Sequence, residues 1–416
     1  MALSSPSHIV VRQAEVNRIL AGTFKEARLA YRDEGEVATV LDQPGDEFRV
    51  IHIDEIDQLG HSVAEAIGAN TGTTVVCAVI GDMIRCFVPG NGIGQPLSIT
   101  VLPDKADVFD RVRGIFETAV LAGRSVAVLG LGSGGSFILR ELIKCGVSRF
   151  LLIDHDRLEV GNICRHECGL SDVGRLKVNA MRDYVLDRNP SADITTLKMH
   201  IDSNTQEEFS TTLQAFKPDI VVCATDNRTS RLLINRICVQ AGLPAIYAGV
   251  FRRAYGGQVL RVIPGLTPCY QCFVSALPTM ASDHEISTED AATRIAYSDL
   301  AVAIEPGLAS DIAPIALLVA KLALMELLAG TSSTLEPLND DLVAPLYLWL
   351  NRREQETEYA SWHPMATGID ELSILRWYGI GLSRNEECPA CGSMPLEGIS
   401  PDADLDVSAF QHPSAS

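Results

Sequence analysis

The sequence predicts an α/β protein built on a Rossmann-like, mainly parallel sheet with helices on both faces, and three observations carry that prediction. The first is the stretch Ser125–Asp156, SVAVLGLGSGGSFILRELIKCGVSRFLLIDHD, which reads as strand, glycine turn, helix and strand. The second is the alternation of strand and helix patterns from there to Val250. The third is the placement of polar residues: Gly130–Gly135, Asp154 and Asp226 fall at strand C-terminal ends, the edge where open α/β sheets take their ligands. A small N-terminal α/β domain and a staple made by two Cys-x-x-Cys pairs, Cys269/Cys272 and Cys388/Cys391, complete the expected architecture.

Within the first stretch, Val126, Val128 and Leu129 form an apolar strand that stops at Gly130, and Gly130, Gly132 and Gly135 have the spacing G-x-G-x-x-G. Glycines there let the backbone turn tightly and approach a phosphate, which sits on the free N–H groups of the following helix. Phe137, Leu139, Leu142 and Ile143 are that helix's expected buried stripe, Gly146 its end, and Phe150–Ile153 the next strand. Asp154 closes that strand, where a carboxylate grips ribose hydroxyls. The glycines alone also suit a structural turn; strand, helix and acid in register point to a nucleotide.

A chain of 416 residues can bury a large core and accommodates two or three domains. Its net charge of −19 argues against a dedicated nucleic-acid binder, because phosphate backbones are held by clustered Lys and Arg. The first residues, MALSSPSHIVVRQAEVN, lack the features of a secretory signal, so a cytoplasmic location is the expectation. The most apolar run, Ile312–Gly330, is interrupted by Pro314, Lys321 and Glu326 and reads as a buried or interface helix, with no membrane span expected. Its greasy faces exceed what one small sheet covers, which suggests a symmetric partner.

Taken in order, residues 1–110 read as a small accessory domain that docks a partner or fills an interface. Val11–Tyr31 has helical spacing, Glu36–Leu41 and Phe48–Ile53 read as strands, Val63–Ala69 as a helix, and Thr73–Val79 and Met83–Val88 as strands. His52, His61, Cys77 and Cys86 lack ligand-like spacing. Residues 111–330 form the main domain, opened by a helix at Arg111–Gly114. Past Asp154, the segment to His166 looks too polar for core. Helices follow from Gly174 to about Asn189, over Thr205–Phe216 and over Arg228–Ala241. Strands cover Ile194–Met199, Ile220–Ala224 and Ala245–Val250, and Gly256–Pro264 reads as an exposed strand. Phe273–Ala303 is a polar connection. Residues 331–395 add a strand at Leu342–Leu350 and a second cysteine pair, and 396–416 read as a disordered tail.

Two constellations carry chemistry. Cys269/Cys272 and Cys388/Cys391 are C-x-x-C pairs flanked by Pro and Gly, as in zinc turns, and four thiolates would bind Zn²⁺ tetrahedrally in a closed structural site. Two redox pairs, or chance spacing, are the alternative. Arg165, Lys177 and Asp226, with Asn162 nearby, form the second. Attack on an ATP phosphate needs cations to neutralise charge and a carboxylate for Mg²⁺, whereas hydride transfer needs neither. Singly, each Arg or Lys could be a solvated helix residue. Jointly, at the ends of strands in one sheet, they favour nucleotidyl transfer.

With GLGSGG, D-x-D followed by N-x-x-R, G-R-x-K, A-T-D-N and the two C-x-x-C pairs, the chain from Arg111 to Leu328 and Cys388–Gly392 resembles the ThiF/MoeB and ubiquitin-activating-enzyme superfamily of adenylyltransferases. The resemblance implies a homodimer or pseudo-dimer that binds Mg·ATP and adenylates the C-terminal glycine carboxylate of a ubiquitin-like or sulfur-carrier protein. It implies that Gly130, Gly132 and Gly135 cradle phosphate and Asp154 binds ribose. Asn162, Arg165 and Lys177 would contact the triphosphate, Asp226 would hold Mg²⁺ with Asn227 beside it at the nucleotide, and Arg113 would reach the partner subunit's ATP, with Arg111 as the other candidate. A conjugating enzyme is a further partner suggested by the added N-terminal domain.

One departure stands out: no Cys lies between Cys272 and Cys388, and Ala303 occupies about the place where ThiF-type members carry an acyl-accepting thiol. Cys145, Cys223 and Cys238 fall on apolar faces, and Cys164 and Cys168 flank Arg165. Two rival readings are an NAD-dependent oxidoreductase, which leaves Arg165, Lys177, Asp226 and the cysteine pairs without roles, and a non-catalytic subunit, which the retained ATP-site residue types oppose.

Overall fold

The computed structural model describes residues 5–54, 58–68, 74–88, 94–103, 109, 117–277, 307–355, 357–365 and 371–392. Arg111, Arg113, Ala303 and the tail from 396 lie outside the described residues. The chain divides into two compact units, Met1–Asp107 and Val108–Ser416.

The first unit is built on β1 (His8–Arg12), α1 (Gln13–Leu20), β2 (Glu26–Arg32), β3 (Val37–Leu41), β4 (Phe48–His52), α2 (Leu59–Gly68), β5 (Val75–Ile80), β6 (Met83–Val88), β7 (Gln95–Pro96) and β8 (Ser98–Leu102). These strands form one mixed sheet in the order β7-β6-β5-β4-β2-β3-β1-β8. Val11–Tyr31 is therefore not one helix. Its β-branched start is drawn into the sheet, where β1 pairs in parallel with both β3 and β8, and Gly22, at φ 70°, turns the chain out of α1 toward β2. Cys77 and Cys86, unremarkable by spacing, face each other across the β5–β6 hairpin.

In the second unit, the short helix α3 (Thr118–Leu121) precedes β9 (Ser125–Leu129), α4 (Ser133–Lys144), β10 (Arg149–Ile153), α5 (Lys177–Arg188), β11 (Asp193–Leu197), α6 (Gln206–Phe216), β12 (Ile220–Cys223), α7 (Arg228–Gln240), β13 (Ala245–Val250), β14 (Gly256–Val262) and α8 (Tyr270–Ala276). A long helix, Ala309–Leu327, leads to β15 (Leu346–Leu350) and β16 (Trp377–Ile380). The sheet order is β11-β10-β9-β12-β13-β14-β15-β16, parallel through β13 and antiparallel beyond it. Strand alternation feeds two cores: Val126 and Val128 point into one with α4, α5 and the long helix, Ala127 and Leu129 into the other with α6, α7 and α8.

Three expectations are corrected here. The buried stripe of α4 uses Ile138, Leu139, Leu142 and Ile143, while Phe137 is only half-buried beneath the Arg140 guanidinium. β14 is buried because it is an interior strand, paired with β13 and β15, with Val259 in one core and Leu260 and Val262 in the other. The apolar surplus of the long helix is absorbed within the chain: Ile315, Ala316, Val319, Leu322 and Ala323 are buried against α4 and strands β12–β14, leaving Leu308 and Leu317 exposed. The helix therefore supplies no argument for a second subunit. Among the described residues, no helix is long and apolar enough to cross a membrane.

Candidate active site

The glycine turn forms the base of the site. Gly130 sits at φ 85°, and a Cβ there would lie 2.8 Å from the Ala224 carbonyl oxygen, so only glycine lets β9 turn beside the end of β12. A Cβ at Gly135 would meet the Gly130 oxygen at 1.9 Å, which keeps α4 tight against the turn. Gly132 differs: a Cβ there meets nothing within 4 Å, so its open side is where a ligand can approach. Gly132 is also the N-cap of α4 and offers no side-chain cap, leaving the helix's first N–H groups and its positive end for an anion.

Asp154, expected at ribose, is buried and its carboxylate is committed to backbone. Oδ2 accepts the Leu131 N–H at 2.6 Å and Oδ1 the Asp156 N–H at 2.8 Å. The segment after it is not uniformly exposed, as its polarity suggested, because Leu158 and His166 fold inward. The His166 Nε2 lies 2.8 Å from the Leu131 carbonyl, and its Nδ1 accepts the Cys168 N–H at 3.0 Å. That pairing assigns the proton to Nε2 and makes the ring neutral. Burial, the largest influence, lowers the imidazole below its ordinary value, and the Lys177 charge acts in the same direction.

Lys177, the first residue of α5, is buried, and its Nζ donates to Asp156 Oδ2 at 2.7 Å. Burial opposes charge on Asp156, but the bonded Lys177 ammonium, with His155 and His200 nearby, holds the carboxyl below its usual range. Arg165 is half-buried; a Cβ on Gly307 would lie 3.8 Å from its Nη1 and 3.1 Å from Ala254 Cβ, so the arginine reaches toward the β13–β14 connection. Asp226 is exposed two residues past Ala224, on the edge occupied by the glycine turn. Asp154 on the Leu131 N–H and His166 on the Leu131 carbonyl thus brace the glycine turn, Lys177 joins this cluster through Asp156, and Asp226 follows the end of β12 beside Gly130.

Two expected nucleotide residues have local structural tasks. Asn162 Oδ1 accepts the Glu159 N–H at 3.0 Å in a capping box, and Asn227 caps α7 by accepting the Ser230 N–H at 3.1 Å. Two residues were missed, His166 and Arg231. The buried Arg231 guanidinium donates to the carbonyls of Thr225 and Ala248 and so ties the end of β12 to β13. Its only sequence signal is its place one turn into α7.

The four cysteines converge at the opposite edge of the sheet, past the end of β14. Sγ–Sγ distances are 3.9 Å for Cys269–Cys272, 3.7 Å for Cys269–Cys388 and 3.3 Å for Cys272–Cys391, and all four residues are buried. Zn–S bonds of about 2.3 Å in a tetrahedron place sulfurs about 3.8 Å apart, so the donor set fits Zn²⁺. The bond shared with Cys269 holds the Cys272 thiol well below its ordinary range, favouring the ligating thiolate there, while the same bond raises Cys269. A side chain on Gly392 would strike the carbonyl oxygens of Glu386 and Cys388, which explains the glycine after the second pair.

Comparisons with known proteins follow this geometry. The chain is 30% identical over 227 residues to ubiquitin-like modifier-activating enzyme 5 of Oryza sativa subsp. japonica, covering 52% of this chain and 50% of that protein. It is 30% identical over 157 residues to the Caenorhabditis elegans protein of that name, covering 36% of this chain and 37% of the relative. The matches thus span about a third to a half of these relatives. A similar solved structure is E. coli MccB, at 20% identity and TM-score 0.47 over 68% of this chain and 69% of that one. The ThiF family model matches residues 113–355, more than half of the chain, and the chain belongs to the ThiF family.

Proposed function

We propose that this chain is an ATP-dependent adenylyltransferase that activates the C-terminal glycine carboxylate of a small ubiquitin-like or sulfur-carrier protein. The observation that carries the reading is the convergence of an uncapped glycine-rich helix N-terminus, the buried Lys177 and Asp154 at one sheet edge, in a chain of the ThiF family. The name shared by the relatives, a ubiquitin-like modifier-activating enzyme, supports the substrate class.

In this proposal the triphosphate lies on the α4 N-terminus beside Gly132. Arg165 and Lys177 stabilise the charge that builds up as the carboxylate attacks the α-phosphorus in line and pyrophosphate leaves. No general base is needed, because a C-terminal carboxylate is already ionised at neutral pH. Asp226 is the residue assigned to Mg²⁺, which would neutralise phosphate charge when bound. Zn²⁺ in the four-cysteine site is assigned no chemistry. A homodimer in which Arg113 reaches the partner's nucleotide, a cytoplasmic location, and docking of the carrier or a conjugating enzyme on the N-terminal unit belong to the same proposal, on the family resemblance and composition.

The test is ATP–pyrophosphate exchange with Mg²⁺. Exchange is expected only with the carrier present, and NAD is expected not to bind. Arg165→Ala or Asp226→Ala should lower the rate by about 10²–10³, as when one preorganised charge partner is removed. Full exchange by both variants would refute the assignment.

A further inference from the structure

We infer that His166 is a positioning residue for the glycine turn: it fixes the Leu131–Gly132 peptide so that the N-terminus of α4 presents its N–H groups to the triphosphate. The inference rests on the adenylation reading above. Leu131 is completely buried between Gly130 and Gly132, so the two peptide planes that flank it set the direction in which the chain enters α4. Each of these two planes is held by one side chain. Asp154 takes the Leu131 N–H, and the neutral His166 ring donates Nε2–H to the Leu131 carbonyl.

His166 is itself held, because its Nδ1 accepts the Cys168 N–H. A second proton, on Nδ1, would set donor against donor and release that hold. The charged groups acting on the ring are Lys177, which opposes protonation, and Asp154 and Glu167, which favour it; burial is the larger influence and keeps the ring neutral. The imidazole therefore acts through Leu131 rather than as an acid or base at neutral pH. The Gly130 N–H is held by the Ile153 carbonyl at 2.8 Å, which leaves the next two peptides to be fixed from outside the turn. The Asp154–Leu131–His166 chain is what makes it a preformed anion site.

Two substitutions separate the two ends of the ring. In His166→Gln the amide nitrogen reaches the place of Nε2 and can still donate to Leu131. In His166→Asn the side-chain oxygen reaches only the place of Nδ1, which keeps the Cys168 bond and loses the Leu131 bond. Mg·ATP affinity measured by titration calorimetry on the full chain, alongside thermal unfolding, reads the difference. Affinity should fall about tenfold in the Asn variant, the worth of one buried hydrogen bond, and stay within about twofold of wild type in the Gln variant. As pH falls through the ring's folded-state value, which lies below 6.5, the wild type should lose affinity relative to the Gln variant, because only the wild type has a ring to protonate.

Equal affinity in all three proteins, or equal loss in both variants, would overturn the inference while leaving ATP binding in place. If the Asn variant does not fold, the pH comparison decides, and a constant ratio between wild type and the Gln variant would overturn it. A wild-type chain that binds no Mg·ATP would overturn the adenylation reading, and this inference with it.

Discussion

Asp154 Oδ2 accepts the backbone N–H of Leu131 at 2.6 Å, so the acid that ends β10 holds the glycine turn that follows β9. β9 and β10 are adjacent parallel strands, with Leu129 opposite Ile153, which brings the residues after each strand into reach of one another. A carboxylate is suited to this position because it can accept two N–H groups at once, and here it takes those of Leu131 and Asp156.

Asp154→Asn should therefore destabilise the chain as well as weaken nucleotide binding. The amide has one acceptor oxygen, and its NH₂ group would face the second backbone N–H. Leaving a buried donor without a partner costs about 1–3 kcal/mol. Urea unfolding of the variant should show a lower midpoint at unchanged slope. An unchanged midpoint would mean that the carboxylate is not needed to hold the turn.

Acid should weaken the fold in two stages. The folded-state value of His166 lies below its ordinary 6.5, so the unfolded chain takes up this proton first as pH falls. The stabilisation from the neutral ring is complete above pH 6.5 and is lost as pH falls below it toward the folded-state value. Asp156 behaves alike, with its contribution present above its ordinary 3.8 and lost below. Asp156 is about half exposed, so its stage is the smaller. Unfolding midpoints measured from pH 8 to pH 5 should decline for wild type and stay flatter for His166→Gln; parallel curves would exclude His166 as the source.

What the sequence made legible follows physical range. β9, α4 and β10 were readable because strand, glycine turn and stripe are local patterns, although the stripe fell on Ile138 rather than Phe137, a shift of one residue within a helical turn. The Val11–Tyr31 segment misled because helical spacing continues across the Gly22 break, and only long-range pairing with β3 and β8 shows that its start is a strand. His166 and Arg231 were invisible for a related reason: their partners are backbone carbonyls supplied by other parts of the fold, and no side-chain motif records such bonds. The cysteine pairs were legible because two-residue spacing is set by the ligand geometry itself.

The sulfur cluster leads to a prediction about metal content. One Zn²⁺ per chain should be found by elemental analysis, and Cys388→Ser should release it and lower the unfolding midpoint. Structural zinc binding is worth roughly 10–16 kcal/mol in small peptides, and here it would join the segment after β16 to the start of α8. A metal-free wild-type preparation of undiminished stability would contradict a structural zinc site and favour the redox reading of the pairs.

The last prediction concerns the missing thiol. The segment Phe273–Ser310 holds no cysteine, so the acyl-adenylate is expected to pass directly to an external thiol, amine or sulfur donor, without a thioester through that segment. Of the cysteines flanking Arg165, Cys168 is buried with its Sγ 3.4 Å from the Met181 sulfur, and burial pushes its thiol up to about 12, which leaves almost no nucleophilic thiolate near neutral pH. Cys164 is the exposed thiol among the described residues, and it lies on the loop beside the proposed nucleotide edge. Incubation with carrier, ATP and Mg²⁺, followed by non-reducing denaturing electrophoresis, should show no adduct between chain and carrier. A thiol-sensitive adduct formed without other proteins would overturn this expectation, and its loss in Cys164→Ala but not in Cys168→Ala would place the acceptor on the exposed loop.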